Sequence, residues 1–176
     1  MADPKPIPLE TVPAALKQAH HYRLLNEPAL AESICRDIVA VDVENEVAWI
    51  TLLLSLTDQF DEKYTHALES AKDALEHMAS DFHRFYYEGI IYERWARAQI
   101  KKSVPLETIE SWMRNAMRLY DQSNDLAPHD DPHPLLRWNT CARFLIDCEA
   151  SRPKKTTPGS NVRDVHTEFG DDVPFR

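Results

Sequence analysis

Apolar residues recur along most of this chain at the spacing of α-helices that bury one face. The clearest stripes consist of Ala31, Ile34, Cys35 and Ile38, and of Ile109, Trp112, Met113, Ala116, Met117 and Tyr120. In each stripe the apolar positions fall three, four and seven residues apart, whereas a half-buried strand would alternate apolar and polar residues. The periodicity therefore predicts amphipathic helices.

The same pattern, interrupted by proline and polar breaks, predicts seven helices. Pro28 follows a break at Asn26 and Glu27, as is common at the first turn of a new helix. The segment from Glu46 to Thr57 is apolar nearly all round, so a helix there must be covered on several sides. The predicted helices run from about Val12 to Leu25, from Pro28 onward, from about Glu46 to Thr57, over Ala67 to Met78, from about Asp81 to Ile100, from about Pro105 to just before Pro128, and from about Leu135 to Cys148.

Three segments repeat one spacing: a small residue, core positions four and seven residues later, and a helix end after five more. The sets are Ala31, Cys35, Ile38 and Val43; Ala67, Ala71, Ala74 and Ala79; and Ala116, Tyr120, Ser123 and Pro128. Each set follows a second pattern, formed by Ala15, Ala19 and Tyr22; by Trp49, Leu53 and Leu56; and by Phe85, Gly89 and Tyr92. Such internal repetition predicts stacked helix pairs.

The two ends of the chain carry no such stripe. Residues 1–11 form a proline-rich lead, and residues 151–176 are rich in Pro, Lys, Thr, Gly and Asp. The second segment is expected to be flexible, as is usual for polar termini without an apolar stripe. The predicted organisation is a lead over 1–11, one helical domain over 12–150 and a tail over 151–176.

Taken together, these positions resemble the tetratricopeptide repeat, a helix–turn–helix unit of about 34 residues. In this register the repeats begin at Val12, Glu46 and Phe82. A last helix repeats the first-helix pattern as Trp138, Cys141, Ala142 and Leu145, and would cap the stack. The resemblance implies an all-α fold: a short right-handed α-solenoid of antiparallel helix pairs, with seven helices.

The third repeat is longer than the family's unit. Ala116 follows Ala67 by 49 residues, and the apolar stripes continue on both sides of the insertion. The extra residues are therefore interpreted as longer helices, whose hairpin from Trp95 to Trp112 would project by about 10 Å. Gly89 stands where two helices of a repeat approach closely, which would explain a glycine that costs roughly 1 kcal/mol inside a helix.

The resemblance also implies a peptide-binding groove, because this family binds peptides on a concave face lined by the first helices. The positions matching that face are Leu16, His20, Arg23, Ile50, Leu54, His83, Tyr86, Ile90, Glu93 and Arg94, with Asn139 and Arg143 from the last helix. Arg23 and Arg143 are expected to meet acidic groups of the ligand. Family members that grip a terminal carboxylate carry Lys and Asn where this chain has Leu16 and His20, so that recognition is not expected.

Composition narrows the class of function. The formal net charge of −9 argues against nucleic acid or an anionic membrane as a partner. The glycine-rich phosphate-binding motifs are absent, and no cofactor is expected. Three cysteines, an odd number, fit reduced thiols, and residues 1–10 contain no apolar signal segment. A cytoplasmic protein is therefore expected.

The sequence leaves several functions open. It favours a non-enzymatic protein–protein interaction module, adaptor or chaperone-like, that binds a peptide or helix. One alternative is a structural subunit of a permanent complex or homodimer. Another is a metal-dependent enzyme using His129, Asp130, Asp131 and His133, although CxxC and HExxH motifs are absent. The tail could itself occupy the groove, because Val165, Phe169, Val173 and Phe175 are apolar among acidic residues.

Overall fold

A computed structural model describes the backbone of residues 3–61 and 64–151, and within these ranges it contains helices and no strand. The predictions of an all-α chain and of seven helices are confirmed there. The helices are α1 (Val12–Leu24), α2 (Pro28–Val41), α3 (Glu46–Thr57), α4 (Tyr64–Asp73), α5 (Asp81–Gln99), α6 (Leu106–Leu126) and α7 (His133–Ala150). Apart from Ser151, the predicted tail lies outside the described residues.

Local signals explain where several of these helices begin. The side chain of Asn45 accepts a hydrogen bond from the backbone N–H of Ala48 at the start of α3, and Ser80 accepts one from the N–H of His83 at the start of α5. Both are N-caps, which satisfy backbone donors that have no partner inside the helix. Between α1 and α2, Asn26 adopts a left-handed backbone with φ of 59°, which asparagine tolerates better than most residues.

The helices pack mainly on their neighbours along the chain, and the small residues of the repeat lie at the contacts. The pairs α1–α2, α2–α3, α3–α4, α5–α6 and α6–α7 all touch, and α3 also contacts α1 and α5. Ala19, Ala31, Ala71, Ala116 and Cys141 are completely buried. Leu54 and Tyr87 belong to both of the two larger apolar clusters, so they join the first half of the core to the second.

The extra residues predicted to lengthen two helices do so. Helix α5 has 19 residues and α6 has 21. The hairpin end also contacts the turn after α3: the Lys101 ammonium lies 3.4 Å from the Asp61 carboxylate, and Lys102 donates to the carbonyl oxygen of Phe60. The ring of Trp95 meets the edges of Phe60 and Trp112, with centroids 5.5 and 6.2 Å away. The hairpin end therefore rests on the turn after α3 instead of projecting freely.

Two local features differ from the sequence prediction. Helix α4 ends at Asp73 and continues as a 3₁₀ turn over Ala74–His77, although the apolar stripe of the segment runs on unbroken. The N-terminal lead also contacts the core, because Ile7 packs against the cluster of Val12, Ile38 and Ala48. The first difference arises because a stripe with residues three and four apart fits both helix types.

Candidate functional site

The residues predicted to line one groove occupy three different environments. The apolar side chains of α1 and α3 and the aromatic one of α5 are half-buried, several charged side chains form ion pairs, and two side chains of α5 are buried. Ile90 is 2 % exposed and the Glu93 side chain 3 %. These two side chains are enclosed because they contact residues of α6 and α7.

Glu93 instead holds three helices together from inside the core. The hydroxyl of Tyr120 on α6 donates to its Oε2 at 2.8 Å, and Arg137 of α7 donates to the same oxygen at 3.3 Å. Arg97 donates to Oε1 at 3.1 Å. Burial first, and the negative charge of Glu93 second, raise the pKa of Tyr120, which keeps its hydroxyl protonated as the donor.

Asp58, directly after α3, joins two arginines that the sequence assigned to a ligand. Arg23 of α1 pairs with Asp58 Oδ2 at 2.9 Å, and Arg94 of α5 pairs with Oδ1. Arg94 also donates to Thr57 Oγ1 at 2.6 Å and to the carbonyl oxygen of Leu54 at 3.1 Å. Burial, followed by the charges of Arg137 and Arg23, lowers the pKa of Arg94, while Asp58 opposes that shift.

Arg23 is thus engaged with a carboxylate of its own chain, and the expectation that it meets acidic groups of a ligand stays a prediction. Arg143 is exposed. Sequence analysis did not single out Asp58 as a site residue, although it occupies the same position of the second repeat as Arg94 does in the third. The shared repeat position is the sequence signal that could have identified Asp58.

Hydrogen bonds connect α1, α3, α5 and α7 in series. His20 of α1 is hydrogen-bonded to Thr51 of α3 at 2.9 Å, and Glu46 at the start of α3 is bonded to His83 near the start of α5 at 2.8 Å. With the Asp58, Thr57 and Glu93 contacts, each of these helices is tied to the next. The four helices therefore lie side by side.

Apolar side chains line these same four helices and are partly open to solvent. Leu16, Ile50, Leu54 and Tyr86 are half-buried, whereas Val47 is 49 % and Leu136 56 % exposed. Sequence analysis missed Val47 and Leu136, although both stand at the repeat position that His83 occupies in the third repeat. The apolar row is defined here by these residues: Leu16, Val47, Ile50, Leu54, Tyr86 and Leu136. Asn139, half-buried, and Arg143 lie on α7 as well.

The Glu46–His83 contact predicts a dependence of stability on pH. Burial alone would raise the pKa of Glu46, but hydrogen bonds from His83 and the Ala79 N–H, with the charge on His83, hold it below 4.5. A depressed folded-state pKa stabilises the protein above the unfolded value and ceases to do so as pH falls through the folded value. The stability difference between wild type and Glu46→Gln should therefore shrink as pH falls below about 4.5.

Urea unfolding of the two proteins between neutral and acidic pH measures this difference. The Glu44→Gln variant is the control, because Glu44 is exposed and lies two residues before Glu46. A gap between wild type and Glu46→Gln that stays constant over the whole range would contradict the role given to the ionised carboxylate.

The alternative of a metal-dependent enzyme finds no support in the part of the chain that the structure describes. No group of three or more His, Cys, Asp or Glu residues there could hold a metal ion. In the histidine-containing loop, Asp131 accepts a hydrogen bond from the backbone N–H of His133 at 2.9 Å. Burial raises the pKa of both Cys35 and Cys141 to about 12, so these thiols stay protonated at neutral pH.

None of the helices within 3–61 and 64–151 combines the length and hydropathy that crossing a bilayer requires. The chain matches no protein family, no curated protein and no solved structure. Any functional assignment therefore depends on the contacts and exposures of the residues above.

Proposed function

We propose that this chain is a non-enzymatic protein-binding module, built as a short tetratricopeptide-like solenoid, and that it binds a helix or extended apolar peptide along α1, α3, α5 and α7. The observation that carries the proposal is the apolar row. Apolar side chains that stay open to solvent in a folded chain are candidates for an interaction site. The row crosses α1, α3, α5 and α7, which hydrogen bonds connect in that order, and this arrangement suits an elongated ligand.

Helix directions support the solenoid part of the proposal. Glu46 and His83 join the first turns of α3 and α5, and Thr57 and Arg94 join their later turns, so these two helices run parallel. Within the pair formed by α5 and α6, Ser123 near the end of α6 donates to the carbonyl oxygen of Phe82 at the start of α5. That contact fits an antiparallel pair, the arrangement expected of a helical repeat.

Charge supports an acidic ligand less strongly than the sequence suggested. Arg23 and Arg94 share Asp58, and Arg137 shares Glu93, so these cations are offset by the chain's own carboxylates. Arg143 remains exposed on α7. Affinity is therefore assigned chiefly to apolar contact with the row, with charge affecting orientation.

The test is a double substitution at the two most exposed members of the row. Val47→Asp with Leu136→Asp should weaken partner capture from the native cell at least tenfold. Because both side chains are solvent-exposed, the unfolding free energy should change by no more than about 0.5 kcal/mol per site. Ile90 is unsuitable for this purpose, since a charge at a buried position would destabilise the fold.

A matched control places the same charges elsewhere. Leu30 on α2 is 46 % exposed and Leu126 at the end of α6 is 51 % exposed. Leu30→Asp with Leu126→Asp should leave capture unchanged, and cross-links between captured partner and chain should map to α3 and α7. Equal loss in both double variants would contradict the proposal, as would capture that survives the Val47 and Leu136 changes.

The structural-subunit and homodimer alternatives are separated by mass in solution. A chain that sediments as a stable dimer, and becomes a monomer when Val47 and Leu136 are charged, would assign the row to self-association. A monomer that gains mass only with a captured partner supports the module.

A further inference from the structure

A second apolar groove lies between α6 and α7, away from the apolar row. Its open cavity of about 370 Å³ is lined by Arg114, Met117, Arg118, Asp121, Trp138 and Leu145, called here the terminal groove. Met117, Trp138 and Leu145 are half-buried. The indole N–H of Trp138 donates to Asp121 at 3.1 Å, which orients the ring.

The apolar surface continues from the terminal groove onto the flank of α7. Leu135 is 52 % and Ile146 63 % exposed, and their spacing of eleven residues places both on one face of α7, beside the face that carries Trp138. Helix α7 packs on α6 and is the last described helix. Apolar surface is therefore left open where a further segment could cover α7.

The rim of the terminal groove is cationic. Arg114 is 62 % exposed and pairs with Glu110 at 3.4 Å, and Arg118 donates to the neutral side chain of Gln122 at 2.8 Å. The hydrogen bond from Trp138 orients the Asp121 carboxylate without removing its charge. The lining therefore has two guanidinium groups and one carboxylate, and this small cationic excess favours an occupant that is apolar and carries acidic groups.

We propose that residues 160–176 of the same chain bind in the terminal groove. This segment contains Val165, Phe169, Val173 and Phe175, with Asp164, Glu168, Asp171 and Asp172 among them. Its apolar residues match the floor and its carboxylates match the two arginines of the rim. The location differs from the groove of the first helices, and the inference does not depend on the proposed function.

The connection along the chain permits this docking. Residues 151–159 separate α7 from the segment, and at up to about 3.3 Å per residue they reach about 30 Å. Helix α7, with 18 residues, is about 27 Å long, so the segment can return along the helix to the level of Trp138. A tether of this length gives an effective concentration on the order of millimolar, which favours it over a free ligand of similar affinity.

Disulfide trapping in the full-length chain tests the proposal. The background variant carries Cys148→Ala, because Cys148 is half-buried whereas Cys35 and Cys141 are buried. Met117→Cys with Thr167→Cys then places one thiol in the terminal groove and one in the segment. Under mild oxidation we expect an intramolecular cross-link to form at least ten times faster than in a control pair, Leu30→Cys with Thr167→Cys, where Leu30 lies exposed on α2.

Two further variants separate docking from chance encounters of a tethered segment. Arg114→Glu with Arg118→Glu, both at exposed positions, should reduce the trapping rate to that of the control pair. Phe169→Asp in the segment should do the same without altering the helical domain. Trapping at equal rates in the test and control pairs would overturn the proposal, and so would predominantly intermolecular cross-links, which would assign the terminal groove to a second copy of the chain.

Discussion

Replacing Glu93 with alanine should lower the free energy of unfolding by about 1–3 kcal/mol, chiefly because a buried hydrogen-bond donor loses its acceptor. Tyr120, which is completely buried, would lose its acceptor, and an unsatisfied buried donor costs about 1–3 kcal/mol. Arg137 and Arg97 would lose their carboxylate at the same time. Chemical denaturation, monitored by helical circular dichroism, measures the change.

A double-mutant cycle with Tyr120→Phe tests whether the orphaned hydroxyl causes much of that loss. Removing the hydroxyl together with the carboxylate leaves no unpaired donor, so the double variant should be more stable than the sum of the single changes implies, by about 0.5–3 kcal/mol. Glu88→Ala, half-buried on the same helix, is the control for changes in helix propensity. Strict additivity of the two changes would show that Glu93 and Tyr120 do not act as a unit.

The helices were predictable because their signals are local. The stripe from Ile109 to Tyr120 contains its own period, and Pro28 marks a helix start without reference to any other element. Asn45 and Ser80 cap helices through bonds that span three residues. A sequence window of a few turns contains all of this information, so the bounds of the predicted helices lie close to those observed, except for α4, which ends at Asp73.

The ion pairs between helices were not predictable in the same way, because their partners are distant in sequence. Asp58 meets Arg23, 35 residues before it, and Arg94, 36 residues after it. Glu93 meets Arg137 across 44 residues. Repeat positions alone predicted an open concave face on α5, whereas the packing of α6 and α7 against that helix decides which of its polar groups are enclosed.

Other misses have separate physical causes. Val47 and Leu136 could have been assigned from the repeat register, since they share a position with His83. The terminal groove requires the relative placement of α6 and α7, which no local pattern determines. Gln99 is completely buried, and neither polar atom of its amide has a hydrogen-bond partner among the described residues. Nothing in the local sequence marks this glutamine as a core residue.

Replacing Gly89 with leucine should destabilise the protein by about 3 kcal/mol, at the upper end of the usual cost of overpacking a core. A Cβ atom at this position would lie 2.6 Å from Cε1 and 2.9 Å from Cδ1 of Tyr120, far inside van der Waals contact. The Tyr120 ring has little freedom to move away, since it is completely buried and its hydroxyl is bound to Glu93. A leucine adds three further carbon atoms to the same overlap.

The alanine variant at Gly89 sets two effects of opposite sign against each other. Alanine gains roughly 1 kcal/mol over glycine in helix propensity, while its Cβ meets the clash with Tyr120. We expect the clash to dominate, so Gly89→Ala should lower the melting temperature, though less than Gly89→Leu. Ala14→Leu, at an exposed position of α1, is the control for adding leucine to a helix surface and should shift stability by no more than about 0.5 kcal/mol. A higher melting temperature for Gly89→Ala would mean that propensity prevails and that α5 and α6 do not require a residue without a side chain at their contact.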